Sequence, residues 1–121
     1  MNFANLFKNE PDPKRYSAGE SIIVAGDDHQ VMMVLLEGEA EVRIGDQVVE
    51  VETTGSVFGE MALIGTRVAT ADVVARTDVT VAEVDERRFN FLVQQHPTFA
   101  IEMMRLIADR LENMNRRLES D

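Results

Sequence analysis

The sequence contains no cysteine, which excludes disulfides, iron–sulfur clusters and thiol chemistry. Histidine is nearly as scarce: His29 and His96 are the two present, and neither has a partner at metal-ligand spacing. No metal site is expected. Basic residues are outnumbered, 12 Lys and Arg against 22 Asp and Glu, for a formal net charge of −10. Such a chain offers no basic face for sequence-independent nucleic-acid binding. An anionic ligand would need a local cation to offset the overall field. No apolar run is long enough to span a bilayer, and the first residues lack the basic and apolar regions of a secretion signal. The expectation is a cytoplasmic protein that engages neither membrane nor nucleic acid. No Ser/His/Asp set or paired-carboxylate arrangement stands out from the general acidity, so catalysis is not expected.

What is present reads as one domain over residues 1–121, long enough for a core of its own. Phe3, Leu6 and Phe7 sit at helical spacing, and Pro11 and Pro13 close that N-terminal segment (residues 1–14). Residues 15–84 then read as short strands. Ser21, Ile22, Ile23 and Val24 end at Gly26-Asp27. Residues 31–36 form an unbroken apolar run, which predicts a strand covered on both faces. Ala40, Val42 and Ile44 alternate with Glu41 and Arg43, and Gly45-Asp46 is a hairpin signal. On the returning strand Val49 and Val51 alternate with Glu50 and Glu52. Residues 69–75 and 79–84 supply two more strands. The sum is a mainly β fold with flanking helices: an antiparallel barrel or roll of short strands.

Residues 85–121 read as helices. Asp85 is placed to cap a first helix, and His96-Pro97 breaks it. The final helix carries a heptad seam at Ala100, Met104, Ile107, Leu111, Met114 and Leu118, beside a second stripe at Phe99, Met103 and Leu106. One stripe can pack on the barrel while the other meets a second copy, a homodimer; the plain reading of such a helix is a packed core helix.

The chemistry concentrates in residues 58–70. Gly59 allows backbone to approach a ligand closely, and a helix entered there offers amides to a phosphate. Glu60 can accept hydrogen bonds from sugar hydroxyls, and Arg67 supplies a planar, permanently charged donor fork. Either residue also has a plain structural reading, Glu60 as a helix-start carboxylate and Arg67 as a surface ion-pair partner.

The run Phe58-Gly59-Glu60-Met61-Ala62-Leu63, followed by Arg67, Ala69 and Thr70, resembles the phosphate-binding cassette of the cyclic-nucleotide-binding domain family. That family includes the catabolite activator proteins and the regulatory subunits of protein kinase A. The resemblance covers nearly the whole chain. It implies a jelly roll of about eight short strands with a short N-terminal helix, a hinge helix and a long C-terminal helix. It also implies a ligand held by Phe58, Gly59, Glu60, Met61, Ala62, Arg67, Val68 and Ala69, with Arg67 on the phosphate and Glu60 on the ribose. Val42 and Val49 lie on strands similar to those that contact the base, though they are core residues in any case. Arg110 and Asn115 fall where members place lid residues, though a solvated helix face explains both equally well. Val68 stands where cGMP-preferring members commonly carry threonine or serine. Its isopropyl group cannot bond a guanine amino group, so cAMP is the expected ligand and cGMP the second choice. No cofactor is implied, and a haem would have to take its axial ligand from His29, His96 or a methionine.

Two departures stand out. The loop from Glu60 to Arg67 is shorter than is common in the family, and Thr66 occupies a position where proline is frequent. The expectation is therefore a stand-alone sensor that signals to a protein effector through its final helix, without a DNA reader of its own. The alternative is a dimerising scaffold that keeps the fold and has lost the ligand.

Overall fold

The computed structural model describes residues 2–65 and 68–120; Arg67, the expected phosphate clamp, and Thr66 beside it lie outside the described residues. The chain divides into two compact units, Met1–Glu86 and Arg87–Asp121.

The first unit opens with the expected short N-terminal helix, a 3-10 helix over Phe3–Phe7. The spacing of Phe3, Leu6 and Phe7 suits a short tight turn as well as an α-helix. The Asn2 side chain accepts a hydrogen bond from the Ala4 amide at 2.9 Å, capping the turn. Phe3 and Phe7 are each only 3% exposed, and the Phe3 amide donates to the Gly55 carbonyl at 3.0 Å. Burying two such rings contributes about 1.5–3 kcal/mol each, which anchors a segment with little helix propensity of its own.

Eight strands follow: β1 (Lys14–Tyr16), β2 (Ser21–Ile23), β3 (Met32–Glu37), β4 (Ala40–Ile44), β5 (Gln47–Glu52), β6 (Val57–Phe58), β7 (Asp72–Ala75) and β8 (Val79–Val84). They form two antiparallel four-stranded sheets, ordered β1-β8-β3-β6 and β2-β7-β4-β5. Both sheets feed one core. Met33, Leu35, Phe58, Val79 and Val81 come from the first, and Ile23, Ala40, Val73 and Ala75 from the second. In β3 all four residues from Met32 to Leu35 are buried, as the unbroken apolar run requires. This is the eight-stranded jelly roll that the sequence predicts. β1 was not anticipated, since Lys14-Arg15-Tyr16 shows no apolar alternation. The strand expected over residues 69–75 shortens to β7, and Val68 makes only an isolated bridge with Asp28.

The face assignment of β5 differs from the sequence pattern. Val42 pairs with Glu50 and Ala40 with Glu52, but Arg43 pairs with Val48, so Val49 is an extra residue in a β-bulge. Directly paired residues share a face. Glu50 and Glu52 therefore lie on the inner side with Val42 and Ala40, whereas Val48 and Val51 point outward, 44% and 38% exposed. Glu52 is 2% exposed, in a row with Ala40 and Ala75, whose small side chains leave it room. One inserted residue reverses the phase of everything beyond it.

The second unit holds most of α2 (Glu86–Gln95) and all of α3 (Thr98–Ser120), separated at His96-Pro97 as expected. Within it the rings of Phe89 and Phe99 lie 5.4 Å apart in a tilted pair. The stripe of Phe99 and Met103 is buried, whereas Met104, Leu111, Met114 and Leu118 of the heptad seam are exposed. Among the described residues no helix is long and apolar enough to cross a membrane.

Candidate functional site

The expected cassette begins where β6 ends. Phe58, 2% exposed, pairs with Met33 and belongs to the core cluster, so the strand delivers the next residues from a rigid base. Gly59 then turns with φ +74°, in the left-handed region that side-chain-bearing residues rarely adopt. Glu60 is half-buried and leads into α1 (Met61–Ile64), a single turn. The amides of Ala62, Leu63, Ile64 and Gly65 are used within that turn, bonding to the carbonyls of Gly59, Glu60, Glu60 and Met61. So short a helix has little macrodipole. That weakens the structural reading of Glu60, and its side chain makes no capping hydrogen bond. Ala62 is buried and holds the turn on the roll, while Met61 is exposed.

The far end of the cassette is tied to the loop after β2. The Gly26 amide donates to the Ala69 carbonyl at 2.8 Å, and the Ala69 amide donates to the Asp27 carbonyl at 3.0 Å. Val68 bridges to Asp28 beside them. The Asp72 carboxylate accepts from the Ala25 amide at 2.8 Å, securing the start of the same loop. Ala69 and Val42 both pack against the core cluster to which Phe58 belongs. Val49 sits in the bulge and is half-buried, off the regular inner row. Arg110 and Asn115 belong to α3 in the second unit, Arg110 half-buried and Asn115 exposed.

Sequence reasoning placed His29 in a loop without chemistry. The structure sets its ring against Gly59: a Cβ on that glycine would stand 2.5 Å from His29 Nε2 and 3.2 Å from Ile23 Cδ1. Nε2 is buried and has no hydrogen-bond partner among the described residues. Burial pushes the imidazole pKa below its ordinary value, with the charges of Glu83 and Asp28 pulling it up. No spacing rule relates residue 29 to residue 59, so only the fold reveals the contact. Among the described residues no cluster of His, Asp or Glu is placed to hold a metal ion.

A two-sheet antiparallel roll whose core strand runs into a Gly-Glu turn, with a short helix packed behind it, defines a small-ligand regulatory domain of the cyclic-nucleotide type. Residues 13–96 match the family model of the cyclic nucleotide-binding domain, and the chain belongs to that family. It is 40% identical over 91 residues to a cAMP-dependent protein kinase regulatory subunit of Schizosaccharomyces pombe, covering 74% of this chain and 21% of that one. It is 32% identical over 111 residues to Glutaminase 1 of Bradyrhizobium diazoefficiens, covering 88% of this chain and 18% of that one. The chain thus spans about a fifth of the length of these relatives. The crystal structure of the Thermus thermophilus catabolite activator protein superposes with a TM-score of 0.78 at 24% identity, over 89% of this chain and 53% of that one, a likeness of fold.

Proposed function

We propose that this cyclic-nucleotide-binding regulatory domain is a non-catalytic cAMP sensor, with ligand held at residues 58–62 and 67–69. The observation that carries this reading is the cassette itself. Phe58 is locked in the core, Gly59 takes a conformation that suits close backbone approach, and Ala69 is clamped to the loop at Asp27. The kinship to a regulatory subunit named as cAMP-dependent supports the choice of nucleotide. So does Val68, which has no hydrogen-bonding group for guanine. Arg67 is assigned the phosphate and Glu60 the ribose, with Val42 toward the base. Relatives such as the glutaminase set the domain within an enzyme, but the reading here assigns it binding alone.

Calorimetry with cAMP and cGMP tests this. Micromolar or tighter cAMP binding, weakened at least about tenfold (~1.4 kcal/mol) by Arg67→Ala, is the expected result. No heat, and no thermal stabilisation at saturating nucleotide, would overturn it. The shortened Glu60–Arg67 loop would then favour the scaffold reading.

Signalling through α3 completes the proposal. Met104, Leu111, Met114 and Leu118 are 57–71% exposed along one seam, a heptad spacing that suits a second copy of the same helix. Switching requires that nucleotide favour one arrangement of the helices over another. Ligand-induced amide shifts confined to the cassette, with none in α3, would remove the signalling half and leave binding intact.

A further inference from the structure

His29 lies outside the residues assigned to the ligand, yet its loop touches both ends of the cassette. The ring abuts Gly59, and the adjoining backbone pairs with Val68 and Ala69. Nε2 is covered by protein and faces the glycine, so a ligand in the cassette has no exposed surface of that atom to touch. We propose that His29 is a positioning residue of the cassette: its neutral ring holds Gly59 in its left-handed conformation, and protonation of the ring releases the turn.

The physical argument is desolvation. A charged ring would set a cationic Nε2–H against the Gly59 backbone, where that atom has no hydrogen-bond partner among the described residues, and this disfavours the packed position. Among the described residues the charged groups that act on it are Glu83 on β8 and Asp28 on its own loop, and both favour the cation. Asp28 also accepts a bond from Gln30 Nε2 at 2.8 Å. Asp27 precedes Asp28, and Glu60 follows Gly59 in the cassette. Burial outweighs these attractions and keeps the pKa below the ordinary histidine value. The sign follows from that: the packed arrangement is intact above the ordinary range and is lost as pH falls through the depressed value. Nucleotide affinity should therefore fall on acidification, a step that rests on the sensor reading.

The test is an amide and histidine-ring titration of the full chain by nuclear magnetic resonance without nucleotide, followed by cAMP calorimetry. The Gly59 amide is expected to shift with the midpoint of the His29 ring, and His29→Gln is expected to abolish that shift. A Gly59 amide that ignores the His29 titration, or that shifts equally in His29→Gln, would overturn the proposal. In calorimetry, cAMP affinity should weaken about fivefold between about pH 7.5 and about pH 5.5, and stay flat in His29→Gln. Binding that is independent of pH and identical in His29→Gln would remove the positioning role and leave the sensor reading standing. A Gly59 shift coupled to His29, with no cAMP binding at any pH, would support the positioning role and remove the sensor reading.

Discussion

Gly59 meets two constraints that separate in experiment. Its φ of +74° penalises any Cβ, and His29 Nε2 occupies the space a Cβ would need. Gly59→Ala should therefore cost about 1–3 kcal/mol in urea denaturation from backbone strain alone, with the clash added on top. Repeating the substitution in a His29→Ala background removes the clash and keeps the strain. The expected outcome is a smaller but non-zero loss, and equal losses in both backgrounds would mean that the ring gives way freely. The expected cassette was legible from the order of Phe58, Gly59, Glu60 and Ala69, which resembles the family's, and the buried Phe58 and left-handed Gly59 are the local features that such an order carries. His29 was not legible, because its role depends on a contact between residues 30 positions apart.

At the scale of elements, the strands show where periodicity works and where it fails. The run through β3 predicted burial on both faces, and Met32 to Leu35 are all buried. β5 was read with Val49 and Val51 alternating against Glu50 and Glu52; Val51, Glu50 and Glu52 keep that alternation, but Val49 drops out of it as the bulge residue and Val48 joins Val51 on the outer face. A single-sequence pattern contains the period of a strand and not its absolute phase. Stability measurements can check the assignment. Val51→Thr on the outer face should change unfolding free energy by no more than about 0.5 kcal/mol. Val34→Thr, at 0% exposure, should cost about 1–3 kcal/mol for a buried hydroxyl. The same reasoning applies to α3, where sequence gave two stripes and the structure separates a buried Phe99 and Met103 from an exposed seam. Leu111→Glu with Met114→Glu should convert a dimer to a monomer in sedimentation, with the helical signal otherwise retained. A wild-type monomer at high concentration would remove the seam's proposed role.

For the molecule as a whole, a net charge of −10 sets a background that the local contacts work against. Mutual repulsion of the carboxylates lowers the stability of the compact state, and salt screens it. The melting temperature should therefore rise by a few degrees between about 0.01 M and about 0.3 M sodium chloride. A fall over that range would mean that pairs such as Arg43–Glu41, at 2.6 Å, outweigh the general repulsion. The bulge at Val49 also bears on how separate molecules meet. β5 is the outer strand of its sheet, and it presents Val48 and Val51 to solvent. A straight edge with that composition would template strand addition from another chain, and the extra residue breaks the even ladder that such addition needs. Deleting Val49 would leave the inward and outward sets as they are, so the variant should fold, yet it should precipitate sooner on standing than the parent protein.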